Sequence, residues 1–376
     1  MELQKNPAKD PITLLEEYQE KGAATMPIAV LCLEHFTESL TNVPKERRRA
    51  AVSETEAGRR VLLWLWKNKL HETDAFVNDQ RLMRIMVLLV IEEGFEETLW
   101  EWFQLDMELG PQVNSLPDRS SKPARLKRVT KEKRQRFRWK GRLLGCMMDA
   151  KLSVMDPNED ADRVIKDLLR ARRIKQAAAE NQSDTFFPLG NAGTVISKGL
   201  FGSDKLRNST SSEVYDAFIE AMDSTSDGTG ILQEMERARL VMFHPHHPSP
   251  QPLLSGFRRI FVPDRSSDAR TFFWHITPAT NDRDLVGSRA RNEEVRTGFW
   301  FFLILQCAAK LYEANQTTDA DWLVSQARAA YPNKARFVEE DLQRFASSRN
   351  VKKAPVAGDI DTPSLKPQRI PMPALG

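Results

Sequence analysis

Cysteine is scarce in this chain. Three residues, Cys32, Cys146 and Cys307, stand far apart in 376, which excludes both a disulfide framework and a metal-ligand doublet and points to a reducing, intracellular setting. Long apolar runs are also lacking. The most apolar stretch, Phe299 to Leu305, is followed by Gln306, well short of the roughly 20 residues a membrane-crossing helix needs, so no integral membrane segment is expected. Charge of one sign is missing overall: 55 Lys and Arg face 52 Asp and Glu, a formal net of +3, and any charge-driven function must come from local clustering. The amino terminus, Met-Glu-Leu-Gln-Lys-Asn-Pro, has neither the apolar core of a secretory signal nor the Arg-rich character of a mitochondrial presequence.

Catalytic signatures are lacking too. Gly190–Gly199, GNAGTVISKG, does not have the G-x-x-x-x-G-K-[ST] order in which backbone amides and a lysine meet phosphates, and it reads as a loop. His244-Pro-His-His-Pro248 holds three of the six histidines, yet no Cys or carboxylate cluster lies near it in sequence to complete a zinc site; a Pro-stiffened exposed loop is expected. Cys32 and His35, three apart on an expected helix, have no third orienting residue and read as a small buried thiol beside a surface His. The aromatic run Phe299 to Phe302 belongs to a core, and Glu92-Glu93 with Glu96-Glu97 flank a turn at Gly94, where charges near helix ends are routine. No motif supports an enzyme or calls for a cofactor or metal.

What is present is helical periodicity. Asp10-Pro11 sets a cap and a first-turn proline before Ile12, Leu14, Leu15 and Tyr18, and Gly22 can end that helix. A second helix starts near Pro27 and stops at Pro44, a third carries Val61, Leu62, Leu65 and Trp66, and Thr73-Asp74 caps a stripe through Leu82, Ile85, Met86, Leu89 and Val90 up to Gly94. Phe95, Leu99, Trp102, Phe103 and Met107 form the next. A loop is expected from Pro111 to Pro123, then long helices through Leu143–Met148 and Val164–Ile174. Residues 183–211, with four glycines and many Ser and Thr, read as a surface loop or linker between an array over 1–182 and a second over 212–348. Phe257–Val262 and Thr271–Thr277 fit either a hairpin or helices, with helix favoured. From Arg349 five prolines and no periodicity predict a disordered tail over 349–376. The expected architecture is all-α: about a dozen helices in repeat-like antiparallel pairs, an α-solenoid.

Two stretches carry a family likeness. Leu82–Gly110, LMRIMVLLVIEEGFEETLWEWFQLDMELG, resembles a pentatricopeptide repeat, and Phe301–Pro332, containing LILQCAAKLYEANQTTDADWLVSQARAAYP, is similar to a pentatricopeptide or tetratricopeptide unit. VYDAFIEAM at 214–222 looks like the opening helix of such a unit. The resemblance implies an α-solenoid working on organellar RNA, in mitochondria for example, with a polar residue of each first helix facing a base. Here the residue after Tyr215 is Asp216, where the family usually has Asn, Thr or Ser, which argues against base-by-base reading.

The electrostatic landmark is residues 119–142, RSSKPARLKRVTKEKRQRFRWKGR, with twelve Lys or Arg against the single Glu132, a local charge of +11. Residues 1–118 carry −8 and residues 143–376 are balanced. Three partners satisfy such a segment. RNA or a ribonucleoprotein gains sequence-independent affinity by counterion release, with Arg125, Lys127, Arg128, Lys131, Lys133, Arg134, Arg136, Arg138, Lys140 and Arg142 as contacts and Phe137 and Trp139 as stacking platforms. The acidic first third or an acidic protein partner would accept it through surface pairs, making the chain a protein–protein scaffold. An anionic membrane surface is the third.

Overall fold

The structure, a computed structural model, describes residues 10–41, 43–73, 75–76, 79–105, 137–155, 161–181, 187–225, 231–262, 269, 273 and 288–350. It is all-α, with no strand among the described residues, and no helix among them is long and apolar enough to cross a membrane. The chain divides into two compact units, Met1–Gly256 and Phe257–Gly376.

The first unit opens with α1 (Pro11–Glu20) and α2 (Met26–Ser39). The Asp10 carboxylate accepts from the amides of Ile12 and Thr13, which have no partner inside the helix, and Pro11 supplies the preset first turn. Helices α3 (Lys45–Thr55), α4 (Ala57–Lys67), α5 (Gln80–Glu92) and α6 (Glu96–Gln104) follow. The cap of α5 is Asp79, which accepts from the Arg81 and Leu82 amides, in place of the Thr73-Asp74 pair expected from sequence. Leu82, Met83, Met86, Val87, Leu89 and Val90 of α5 are all buried, because this helix packs against α2, α3, α4 and α6 and also against α7 (Arg138–Val154). Gly94 turns the chain from α5 into α6 with φ +84°, a conformation glycine adopts without steric cost.

Helices α8 (Asp162–Glu180), α9 (Gly190–Gly202), α10 (Asp204–Ser209), α11 (Ser212–Thr225) and α12 (Ile231–Met242) complete most of the unit. α7 packs between α5 and α9, so alternate helices of the chain share one layer. The loop expected over 183–211 is corrected at Gly190–Gly202 and Asp204–Ser209, which are helices, while 187–189 are irregular and 183–186 lie outside the described residues. Ala192, Ile196 and Leu200, four residues apart, are buried on one face of α9 with Gly193 and Ser197 between them. They meet a matching small surface on α7: a Cβ on Gly141 would come within 2.8 Å of Pro188, and one on Gly145 within 2.0 Å of the Asn191 amide. Glycine is unfavourable inside a helix by about 0.5–1 kcal/mol relative to Ala, and the close helix contact it permits offsets that cost here.

Helix α13 (Gln251–Phe261) crosses the boundary between units, and helix is the outcome for the described part of the ambiguous Phe257–Val262 stretch. Thr271–Thr277 lies outside the described residues apart from Phe273. In the second unit α14 (Ser288–Glu313) packs against α15 (Thr317–Ala330) and α16 (Val338–Asn350), with a 3-10 turn at Pro332–Phe337 between the last two. Trp300 and Phe301 are buried there, as their sequence setting predicts, while Phe302 is 41% exposed. The tail expected beyond Arg349 lies outside the described residues, apart from the two that end α16.

Candidate nucleic-acid interface

Of the twelve residues assigned to nucleic acid from sequence, Arg125, Lys127, Arg128, Lys131, Lys133, Arg134 and Arg136 lie outside the described residues. The other five sit at the start of α7, and three of them are not at the surface. Phe137 and Trp139 are 1% and 0% exposed. Trp139 stacks on Trp102 at 5.6 Å between ring centroids, and Trp102 stacks in turn on Phe76 at 5.6 Å. Their role as stacking platforms is corrected: these rings fill the core, each worth about 1.5–3 kcal/mol in apolar burial. Lys140 is likewise fully buried, its ammonium 4.2 Å from the centroid of Phe187 and 5.5–5.9 Å from those of Trp139, Phe137 and Phe103, a cation–π setting rather than a phosphate contact. The physical reason is that the buried stripe of α7, Trp139–Leu143–Met147, begins inside the basic run.

Arg138 is exposed and Arg142 half-buried. Burial, and then the neighbouring Arg138, lower the pKa of the Arg142 guanidinium, which still leaves an arginine charged at neutral pH. Arg142 lines a groove of about 750 Å³ along α5, α7 and α9, together with Gln80 and Arg84 of α5, Asp149 of α7, and Asn191 and Lys198 of α9. The Arg84 guanidinium is 3.0 Å from the Asp149 carboxylate and remains 71% exposed. Burial, and then Asp149, push the Cys146 thiol in the same groove up to about 11, so it is no thiolate nucleophile at neutral pH. No individual residue of this groove except Arg142 stands out in sequence, because Arg84 and Lys198 are isolated cations there; the shared layer of α5, α7 and α9 brings them together.

A second cavity, about 460 Å³, lies beside the turn between α5 and α6 and is lined by Arg49, Glu92, Glu96, Lys151 and Arg163 among others. The four glutamates of the turn are all engaged. Glu92 pairs with Arg48 at 3.0 Å. Glu93 accepts from the amides of Gly58 at 2.7 Å and Arg59 at 2.9 Å, serving as the cap of α4 in place of Glu56, whose side chain makes no capping bond. Glu96 binds Lys151 and the Trp100 indole N–H, and Glu97 grips Arg170 through two bonds of 2.7 and 2.8 Å. Lys151, only 6% exposed in its side chain, also binds Asp167; burial raises the Asp167 pKa and its bond to Lys151 opposes that. These charges clasp α3, α4, α7 and α8 to the turn.

The histidine stretch is an irregular loop with His246, His247 and Pro248 exposed, as expected, and only His244 departs from that. His244 is 4% exposed: its Nδ1 accepts from the amides of His246 at 3.1 Å and His247 at 2.9 Å, which leaves the ring proton on Nε2, 3.2 Å from the Asp216 carboxylate. Burial lowers its pKa, with Asp216 opposing. The ring thus holds a proline-rich turn together, and Asp216 faces it. Among the described residues no group of three or more His, Cys, Asp or Glu is placed to hold a metal ion. Cys32 is buried, its thiol pushed up to about 11 by burial. Compared with known protein families, curated proteins and solved structures, the chain has no significant match.

Proposed function

We propose that this chain is a non-catalytic, repeat-like helical binding protein that engages RNA or a ribonucleoprotein through its basic segment, in the organellar setting that the pentatricopeptide resemblance implies. The observation that carries the reading is the charge of +11 packed into residues 119–142 of a chain that carries −8 elsewhere, which favours a polyanion because each neutralised phosphate releases counterions. Arg142, at the end of that segment, lines a groove to which the neighbouring helices add Arg84 and Lys198. Self-docking onto the 92–97 turn is less favoured, because its four acids already have internal partners.

The test replaces Arg134, Arg136 and Arg138 together by Gln and leaves buried Lys140 in place. Affinity of the full chain for a fluorescent single-stranded RNA is measured across salt concentrations. The dependence of log K on log salt should become shallower by about 2, with the circular dichroism unchanged. Unaltered affinity would remove the segment from the reading, and retention of an acidic protein partner with no RNA binding would make the chain a protein–protein scaffold.

A further inference from the structure

The groove along α5, α7 and α9 has a composition that suits one kind of ligand. Cations rise from each of its three helices, Arg84, Arg142 and Lys198, while Asp149 is the acid among its lining residues. The side-chain amides of Gln80 and Asn191 line it as well. Both belong to exposed residues, and the Asn191 amide nitrogen lies across Gly145 and donates to the Gly141 carbonyl oxygen at 3.4 Å. Packed helices have axes about 8–10 Å apart, so cations carried on neighbouring helices form a strip rather than one enclosed pocket. A strip matches a chain of charges better than a single small anion. Amides that both donate and accept add what a base edge or a 2′-hydroxyl requires. The groove has the same sign as residues 119–136 and repels them, so it does not serve as a dock for that part of the chain's own basic segment.

We infer that this groove is the track for the sugar–phosphate backbone of a single-stranded RNA, with Arg84, Arg142 and Lys198 on successive phosphates and Gln80 and Asn191 toward the bases or ribose. This rests on the RNA reading above and names its second contact surface, which shares Arg142 with the basic segment. Asp149 works against it: its carboxylate holds Arg84 and repels phosphate.

Two variants of the full chain test the track with the same labelled RNA. Arg84→Gln with Lys198→Gln alters two exposed side chains and should lower affinity roughly ten- to thirtyfold at 0.1 M salt, making the salt dependence shallower by about 1.4. Asp149→Asn should tighten binding roughly fivefold, an effect that loss of a structural ion pair would not produce. Inorganic phosphate at matched ionic strength should not compete; displacement of RNA by it would make this a small-anion site and overturn the track. Groove variants that bind like the parent, while the Arg134, Arg136, Arg138 variant binds weakly, would overturn the track and leave the RNA reading standing. A parent chain with no salt-sensitive RNA affinity would overturn both.

Discussion

Two regions of the amino-terminal unit are dense in charge and differ in what that charge is for. In the turn Glu92–Glu97 each carboxylate is held by an arginine, a lysine or a helix amino terminus of the same unit. In the groove of α5, α7 and α9 the cations lie along an open face, and Arg84 stays 71% exposed despite its partner. Clustered charge in a sequence is therefore ambiguous until burial and partners are known. A charge held by an internal partner carries stability, and one left toward solvent is available for a ligand. Substitutions in the two regions should separate along that line, in stability for the turn and in affinity for the groove.

The largest effect is expected at Lys151. Its side chain is 6% exposed and bridges Glu96 and Asp167, themselves 16% and 15% exposed. Lys151→Ala leaves two buried acids without their shared cation and should cost about 3–5 kcal/mol, read as a lower urea midpoint. A loss below about 1 kcal/mol would show that the turn is as solvent-screened as the groove, and the contrast would collapse.

Glu93 comes next. Glu93→Ala removes the acceptor for two amides at the start of α4 and should cost about 1–3 kcal/mol. Burial pushes the Glu93 carboxyl up to about 7, against the two amides that pull it down. The folded state then holds a proton that the unfolded chain has released between about pH 4.5 and 7, so the stability linked to this group is greatest below about 4.5 and is lost as pH rises to about 7. Urea unfolding of Glu93→Gln across that window should lack this slope; an identical slope would assign it to another group.

The contrast between these regions was only half legible in the sequence. Helix starts and stops were plain where local chemistry decides them: Asp10-Pro11 at α1, and Gly94 at the turn it makes with φ +84°. Residues 190–202 look like a loop because glycine favours one, whereas the close approach of α9 to α7 is made at Gly141 and Gly145 of α7 and at Gly199 of α9, a fact that lives in the helix pair. Phe137 and Trp139 misled because the charges around them hid a stripe of period near 3.6 running through Leu143 and Met147; that signal was present and was overridden by local composition. Arg84, Arg142 and Lys198 are far apart in the chain, and no local pattern announces that alternate helices share a layer.

The smallest effect makes the sharpest comparison. Glu97 and Asp149 are both partly exposed acids gripping an arginine: Glu97 is 70% exposed and paired with Arg170 at 2.7 Å, Asp149 is 43% exposed and paired with Arg84 at 3.0 Å. Arg170 holds the Glu97 pKa below its usual value, but at that exposure the pair is screened by water, and Glu97→Gln should cost under about 1 kcal/mol. The chemistry removed is nearly the same as in Asp149→Asn, one negative charge beside one arginine. Only Asp149 lines the groove. If position rather than net charge governs binding, Glu97→Gln, which is not in the groove lining, leaves RNA affinity within about twofold of the parent, since salt screens exposed charges that do not meet the ligand, while Asp149→Asn tightens it. Equal tightening by both would mean that RNA senses the overall charge of the unit, and the division between a structural acidic turn and a binding basic groove would lose its functional half.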